Sequence, residues 1–249
     1  MTKPLLTLQG VHTHIGAYHI LHGVDLEVPS GQLTMLLGRN GAGKTTTLRT
    51  IMGLWSASRG RIDFDGQAIG GPGTKLTTPD IAQRGIAYVP ENMGVFGDLT
   101  VRENLLLAAR NASRVEQMDT KRLEWLFELF PAMKKFWLYP AGKLSGGQKQ
   151  MLSIARAMVE PRRLLLIDEP SKGLAPAIVQ NLISALRELK STQTTVLLVE
   201  QNFAVAKALG DHVAVMDDGR VVHRGAMSEL ADNESLQHRL LGLSLAAHQ

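Results

Sequence analysis

Apolar and polar residues alternate along three segments in the N-terminal part of the chain. These segments are residues 5–13, 23–28 and 60–66, and the last two end at turns that contain glycine. A strand with one face in the core and the other in water shows this period of two. We therefore predict an antiparallel β-sheet in this part of the chain.

Other predicted strands are apolar throughout. Such runs are typical of parallel strands that are buried on both faces, with helices packed on either side. Segments in which apolar residues recur at helical spacing follow several of these runs. The apolar runs are residues 33–37, 86–89, 164–167 and 195–199, and the helical patterns include residues 47–52, 177–190 and 203–209. This order predicts a parallel α/β core.

A long helical pattern, residues 100–141, interrupts the α/β core. Thr100 and Glu103 have the spacing of a capping box, in which each side chain bonds the other residue's backbone N–H. We predict one domain over residues 5–240 with a helical insertion. Its predicted parts are a catalytic core with the antiparallel sheet (5–95 and 151–227), a helical subdomain (96–150) and a C-terminal tail (228–249).

A glycine-rich loop joins the first apolar strand to a helix. Glycines let backbone N–H groups surround phosphate oxygens, and the N-terminus of the helix attracts the same anion. A lysine and a threonine at the end of the loop suit the β- and γ-phosphates and Mg²⁺. The loop matches the Walker A pattern and consists of Gly38, Arg39, Asn40, Gly41, Ala42, Gly43, Lys44, Thr45 and Thr46. We predict a nucleoside triphosphate site here; an ordinary glycine turn is the alternative.

A second apolar strand, residues 164–167, runs directly into two carboxylates, Asp168 and Glu169. This is the Walker B pattern, and it places both groups at the carboxyl edge of the sheet, where ligands gather in α/β folds. Asp168 and Thr45 are the predicted Mg²⁺ ligands. Glu169 is the predicted general base that activates water. A strand that merely ends in charged residues is the alternative.

A further motif precedes another helical segment. Its serine and two glycines lie near the helix N-terminus, so their N–H groups form a second predicted anion site. The motif consists of Leu144, Ser145, Gly146, Gly147 and Gln148. Two γ-phosphate sites far apart in one chain indicate that they meet across a dimer.

Composition excludes several classes of function. The chain has 249 residues and no cysteine, which excludes disulfides and thiolate chemistry. Its net charge of +4 comes from scattered basic residues, so we do not predict a nucleic-acid partner. The sequence shows neither an apolar run long enough for a membrane span nor the pattern of a signal peptide. These features predict a cytoplasmic protein.

The three motifs together resemble those of the nucleotide-binding subunit of ATP-binding-cassette (ABC) transporters. The resemblance covers residues 5 to about 240. It implies a P-loop NTPase (RecA-like) parallel-sheet core with an antiparallel β subdomain and an inserted α-helical subdomain. It also implies ATP and Mg²⁺ as ligands, and head-to-tail dimers in which each ATP lies between one subunit's phosphate loop and residues 144–148 of the other. Tyr18 stands where an aromatic residue stacks on adenine; an ordinary exposed tyrosine is the alternative.

Residues 88–91, 168–176 and 198–202 look like those of ATPases from bacterial branched-chain amino acid importers. Glu91 replaces the glutamine that senses Mg²⁺ in most ABC proteins; its carboxylate is the third predicted ligand of the ion, although it also repels polyphosphate. Gln201 replaces the histidine that contacts the γ-phosphate, and an amide can donate a hydrogen bond but cannot carry positive charge. We expect catalytic roles for Lys44, Glu169 and Gln201.

The resemblance implies an ATPase subunit of an importer for branched-chain or related amino acids. It would act beneath the membrane with a second ATPase, two permease subunits and an extracytoplasmic solute-binding protein. We expect a homodimer to turn over ATP more slowly than a dimer with a histidine-bearing partner. The alternatives are transport of urea or lipopolysaccharide, a soluble ABC ATPase that acts on DNA or ribosomes, and a clamp that binds ATP but scarcely hydrolyses it.

Overall fold

The strands of the chain form two sheets within residues 3–110 and 112–242, the part that the computed structural model describes. Their bounds are β1 (Pro4–Ile15), β2 (Tyr18–Pro29), β3 (Leu33–Gly38), β4 (Ala57–Phe64), β5 (Gln67–Gly70), β6 (Ile86–Val89), β7 (Leu164–Asp168), β8 (Thr195–Val199), β9 (His212–Asp217) and β10 (Arg220–Ala226). The helices are α1 (Lys44–Ile51), α2 (Thr78–Gln83), α3 (Val101–Ala108), α4 (Thr120–Leu129), α5 (Pro131–Lys135), α6 (Gly146–Met158), α7 (Pro176–Ser191), α8 (Phe203–Leu209), α9 (Met227–Ala231) and α10 (Glu234–Leu241).

The larger sheet has the strand order β10-β9-β3-β8-β7-β6. Its strands are parallel from β9 to β6, and β10 pairs antiparallel with β9. The carboxyl ends of β3, β6, β7 and β8 therefore lie along one edge of the sheet. This arrangement confirms the predicted parallel core.

Both faces of the larger sheet are buried, as the continuous apolar runs predicted. Every residue of β7 and β8 is buried. Along β3, Met35 packs into the hydrophobic cluster on one face and Leu36 into the cluster on the other. Leu165 and Leu166 of β7 divide between the two faces in the same way. Such a strand is rigid, so it fixes the position of any polar residue at its end.

The smaller sheet is antiparallel, with the order β2-β1-β4-β5. It confirms the antiparallel layer and the three alternating strands predicted from the sequence. The structure adds β5, which the sequence pattern did not reveal. This strand has four residues, of which Ile69 alone is buried, so it is too short to show alternation.

The predicted helical segment, residues 100–141, contains α3, α4 and α5. The capping box at its start is confirmed: Glu103 N donates to Thr100 Oγ1 at 3.2 Å, and Thr100 N donates to Glu103 Oε2 at 2.8 Å. None of the helices described in residues 3–110 and 112–242 is long and apolar enough to cross a membrane. The subdomain boundaries at residues 96 and 150 stay a prediction. Most of the predicted tail is described as α9 and α10; residues 243–249 lie outside the described residues.

Four histidines lie together on the β1–β2 hairpin, next to Tyr18. His14 and His19 stack with ring centroids 4.1 Å apart, His22 lies at the same distance from His19, and His12 Nδ1 is 3.0 Å from His19 Nε2. Desolvation foremost, and the charges of neighbouring histidines, lower the pKa of His19. Desolvation, followed by nearby cations, also lowers the pKa of His12.

Because of this histidine cluster, we expect the protein to lose stability in acid. A lowered pKa in the folded state means that the unfolded chain binds protons more readily, so stability declines as the pH falls through the ordinary value of 6.5. We expect the melting temperature to fall between about pH 7.5 and about pH 5.5, and to fall less in His19→Gln than in the wild type. His238→Gln, at an exposed histidine on α10, serves as the control. An equal fall in all three proteins would contradict the prediction.

Candidate functional site

The loop after β3 follows a path that depends on glycine. Gly38 has a φ of 147°, and a Cβ there would lie 2.3 Å from the carbonyl oxygen of Met216. Gly43 has a φ of 98°, and a Cβ there would lie 2.9 Å from Leu21 Cδ2. Gly43 is the N-cap of α1 and has no side chain, so it leaves the first N–H groups of that helix without a side-chain cap. The loop therefore has the features of an anion cradle.

Lys44 places a buried cation over this loop. Its side chain is 4% exposed, and Nζ donates to the carbonyl oxygens of Gly38 at 2.9 Å and Arg39 at 3.0 Å. Nζ also lies 3.6 Å from Glu169 Oε1. The loop and the end of β7 thus meet through this lysine.

The remaining loop residues differ in exposure. Ala42 is buried, Thr45 and Thr46 are half-buried, and Arg39, Asn40 and Gly41 are exposed at the rim of the loop.

Asp168, at the end of β7, is fully buried between two hydroxyl groups. Thr45 Oγ1 donates to its Oδ1 at 3.0 Å, and the Tyr88 hydroxyl donates to its Oδ2 at 3.1 Å. Burial is the main cause that raises the pKa of Asp168; Glu169 and Glu91 raise it further, while the two hydroxyls oppose the rise. The predicted pair of Thr45 and Asp168 is therefore in direct contact.

Tyr88 was missed by the analysis of the sequence. It lies in β6 beside β7. Mainly because it is buried, its pKa is raised to about 12, so its hydroxyl keeps its proton and donates to Asp168. A hydroxyl within an otherwise apolar strand was the available signal. The pairing of β6 with β7 cannot be read from that signal alone.

Glu169 combines a strained backbone with several side-chain contacts. Its φ of 45° is rare for a residue with a side chain, and such outliers cluster at functional sites. Gln201 Nε2 donates to its Oε1 at 2.6 Å. Lys172 Nζ lies 3.6 Å from its Oε2. The structure thus brings together Lys44, Glu169 and Gln201, the three residues for which we expected catalytic roles.

Glu91, after β6, pairs with a lysine. Its Oε1 lies 2.5 Å from Lys172 Nζ, and both side chains are substantially exposed. Within residues 3–110 and 112–242, no three His, Cys, Asp or Glu side chains form a group able to hold a metal ion. The role of Glu91 as a metal ligand stays a prediction.

Glu200 follows β8 and joins two loops at the site. It accepts hydrogen bonds from Ser171 N at 3.0 Å and Ser171 Oγ at 2.8 Å, and another from Gln201 N at 3.2 Å. Burial is the main cause that raises its pKa, whereas these hydrogen bonds oppose the rise. The sequence analysis did not select it, although an acid after an apolar strand was the same signal that identified Asp168.

Ser145 is the N-cap of α6, at the helix N-terminus near which the sequence analysis placed it. Its N donates to Gln148 Oε1 at 2.9 Å, and its Oγ accepts from Gln148 N at 3.3 Å. Leu144 is buried, whereas Ser145 and Gly146 are exposed and Gly147 is half-buried. Among the described residues, no hydrogen bond joins residues 144–148 to residues 38–46. The motif is therefore presented at the surface.

Tyr18 is 75% exposed and begins β2. Its strand is connected to the loop through backbone hydrogen bonds: His22 N donates to Gly219 O at 2.9 Å, and Gly219 N donates to Ala42 O at 3.1 Å. Tyr18, the predicted adenine contact, therefore lies on a strand that is linked to the phosphate-binding loop through Gly219.

The motif residues and the fold can be compared with known proteins. A family model described as "ABC transporter" matches residues 21–172, more than half of the chain. The chain belongs to the ABC transporter family. It is an ATPase of that family, and its P-loop NTPase fold is confirmed.

Two curated relatives are similar over nearly the whole chain. The high-affinity branched-chain amino acid transport ATP-binding protein BraG of Pseudomonas aeruginosa is 38% identical, over 96% of this chain and 100% of its own. The probable branched-chain amino acid transport ATP-binding protein LivF of Archaeoglobus fulgidus is 34% identical, over 90% and 93%.

Two solved structures are similar in fold and sequence. An ATP-binding subunit of an ABC transporter is 31% identical with a TM-score of 0.78, covering 97% of this chain and 96% of its own. An ATP-binding cassette in its ADP conformation is 26% identical with a TM-score of 0.77, covering 97% and 100%.

The glycine contacts predict a difference between two loop positions. Gly38→Ala and Gly41→Ala both place a side chain at positive φ, but at Gly41 a Cβ meets nothing within 4 Å. We expect Gly41→Ala to lower the free energy of unfolding by about 1 kcal/mol and Gly38→Ala by about 3 kcal/mol, because Gly38 also meets backbone. Urea unfolding measures both values. Equal losses would show that the contact with Met216 does not constrain the loop.

Proposed function

We propose that this chain is the ATP-hydrolysing subunit of a bacterial importer for branched-chain or related amino acids. The observation that carries the proposal is the position of Glu169, 3.6 Å from Lys44 and 2.6 Å from Gln201, at the carboxyl edge of the sheet. Branched-chain or related amino acids as the transported substrate are supported by the similarity to branched-chain transport proteins over nearly the full chain.

The donor set after β3 and β7 fits Mg²⁺. Thr45 and Asp168 offer hard oxygen ligands, and the buried Asp168 carboxylate has hydroxyls rather than cations as its hydrogen-bond partners. Since no three acidic or histidine side chains form a metal group in the described residues, phosphate and water oxygens would complete the coordination. Thr45 and Asp168 would hold the ion; Glu91, the third ligand predicted from the sequence, is paired with Lys172 in this structure. When bound, Mg²⁺ neutralises charge on the phosphates.

The residues of the chain then have separate roles in hydrolysis. The N–H groups of residues 38–46 and Lys44 bind the β- and γ-phosphates. Glu169 accepts a proton from water as the water oxygen bonds to the γ-phosphorus and the bond to ADP breaks. Gln201 orients the Glu169 carboxylate through the 2.6 Å hydrogen bond.

A second ATPase subunit, identical or different, would complete the site. Ser145 and Gly146 are exposed at the start of α6, where they suit the ATP of a partner subunit. Tyr18 is exposed and suits the adenine. The working assembly also includes two permease subunits and an extracytoplasmic solute-binding protein, and this chain lies on the cytoplasmic face of the membrane.

Gln201 favours one alternative function, an ATP-gated clamp that scarcely hydrolyses. Its amide already donates a hydrogen bond to Glu169 Oε1. It also cannot offer the γ-phosphate the positive charge of a histidine.

Replacing the proposed general base distinguishes the two functions. We expect Glu169→Gln to lower ATP hydrolysis at least about a hundredfold, because the amide cannot accept the proton, while ATP binding is retained. Phosphate release from radiolabelled ATP and calorimetric titration measure the two quantities. The matched control is Glu188→Gln, an exposed glutamate on α7. Near-equal hydrolysis by wild type and Glu169→Gln would instead support the clamp.

A further inference from the structure

Lys172 lies between two carboxylates that belong to different loops. Its Nζ is 2.5 Å from Glu91 Oε1 and 3.6 Å from Glu169 Oε2. We propose that Lys172 is a positioning residue, which holds the Glu169 carboxylate in place and makes that hold depend on Glu91. This proposal rests on the proposed function, because it takes Glu169 as the general base.

The two oxygens of Glu169 are held from different sides. Oε1 accepts from Gln201 Nε2 at 2.6 Å and lies 3.6 Å from Lys44 Nζ. Lys172 is the cation near Oε2. Without Lys172, the Glu169 carboxylate keeps its contacts at Oε1 but can rotate. Oε2 is then no longer held in one position relative to the reacting water. Small errors in the position of a reacting group lower the rate strongly.

The backbone of Lys172 is itself fixed. Lys172 N donates to Glu169 O at 3.2 Å, and the preceding residue, Ser171, is bonded through N and Oγ to the buried Glu200. The position of the Lys172 side chain, in contrast, depends on the two carboxylates around its ammonium. Glu91 foremost, and then Glu169, raise the pKa of Lys172, so this ammonium remains charged.

Glu91 has a different role in this arrangement from that of a metal ligand. Its Oε1 lies 2.5 Å from Lys172 Nζ, so the lysine offsets the negative charge that Glu91 adds near the site. Glu91 lies on the loop after β6, whereas Lys172 lies in the turn after β7. A shift of the Glu91 loop would therefore move the lysine that holds the general base. Glu91 acts on hydrolysis through Lys172.

A double-mutant cycle tests this dependence in the purified full chain. The four proteins are the wild type, Lys172→Met, Glu91→Gln and the double variant. We expect Lys172→Met to lower kcat about fivefold with little change in KM for ATP, since the lysine orients the base and does not bind the nucleotide. Glu91→Gln lowers kcat about twofold in the wild type, and causes no further loss when Lys172 is already methionine.

Two controls separate positioning from folding and charge. Lys172→Arg retains at least about half of the wild-type kcat, because a guanidinium can also pair with two carboxylates. Lys121→Met, at an exposed lysine on α4, leaves kcat unchanged. Each variant is checked for its melting temperature and its affinity for ATP. Should the methionine variant melt early, Lys172→Gln replaces it in the cycle.

The proposal is overturned if Lys172→Met hydrolyses ATP at the wild-type rate. It is equally overturned if Glu91→Gln costs the same factor with and without Lys172, or raises the Mg²⁺ concentration needed for half-maximal rate. The first result would show that Glu91 acts independently of Lys172, and the second would assign Glu91 to the ion. Full activity of Glu169→Gln would remove the proposed general base, a failure of the proposed function that is distinguishable from these outcomes.

Discussion

The structure depends on two opposite charges, Lys44 and Glu169, that are buried 3.6 Å apart at the carboxyl edge of the larger sheet. Burying each charge costs several kcal/mol unless its partners are well placed. Here the lysine is satisfied by two loop carbonyls and the glutamate by an amide. Strands buried on both faces supply the rigidity that such an arrangement needs, and glycine supplies the tight path of the loop. At this edge the buried lysine can attract a bound phosphate, and the glutamate has the proposed role of accepting a proton from water.

The two sheets, the glycine-rich loop and α6 were predictable because each depends on residues that are close together in the sequence. Alternating and continuous apolar runs indicated the two sheets, the glycine-rich loop after β3 predicted a phosphate site, and the helical pattern after residues 144–148 indicated α6. Tyr88, Glu200 and Lys172 were missed because their importance comes from contacts between distant segments. Glu91 and Lys172, for example, are 81 residues apart in the chain. Strand order decides which of these groups meet, and local patterns do not report it.

The residues that depart from the wider family form one connected group. Considered alone, Glu91 adds repulsion and Gln201 removes a positive charge. In the structure, both side chains are linked to Glu169, Gln201 directly and Glu91 through Lys172. Lysine side chains thus supply the positive charge close to Glu169, the proposed general base. Both side chains therefore bear on the position of the same carboxylate.

The central claim is that the loop after β3 binds ATP through a buried lysine. Calorimetric titration of ATP with Mg²⁺ into the wild type and Lys44→Met tests it most directly, with Lys207→Met, an exposed lysine on α8, as the control. We expect the wild type and the control to bind equally and Lys44→Met to lose at least about tenfold in affinity, because the phosphates lose a desolvated cation. Equal affinity in all three proteins would contradict the account.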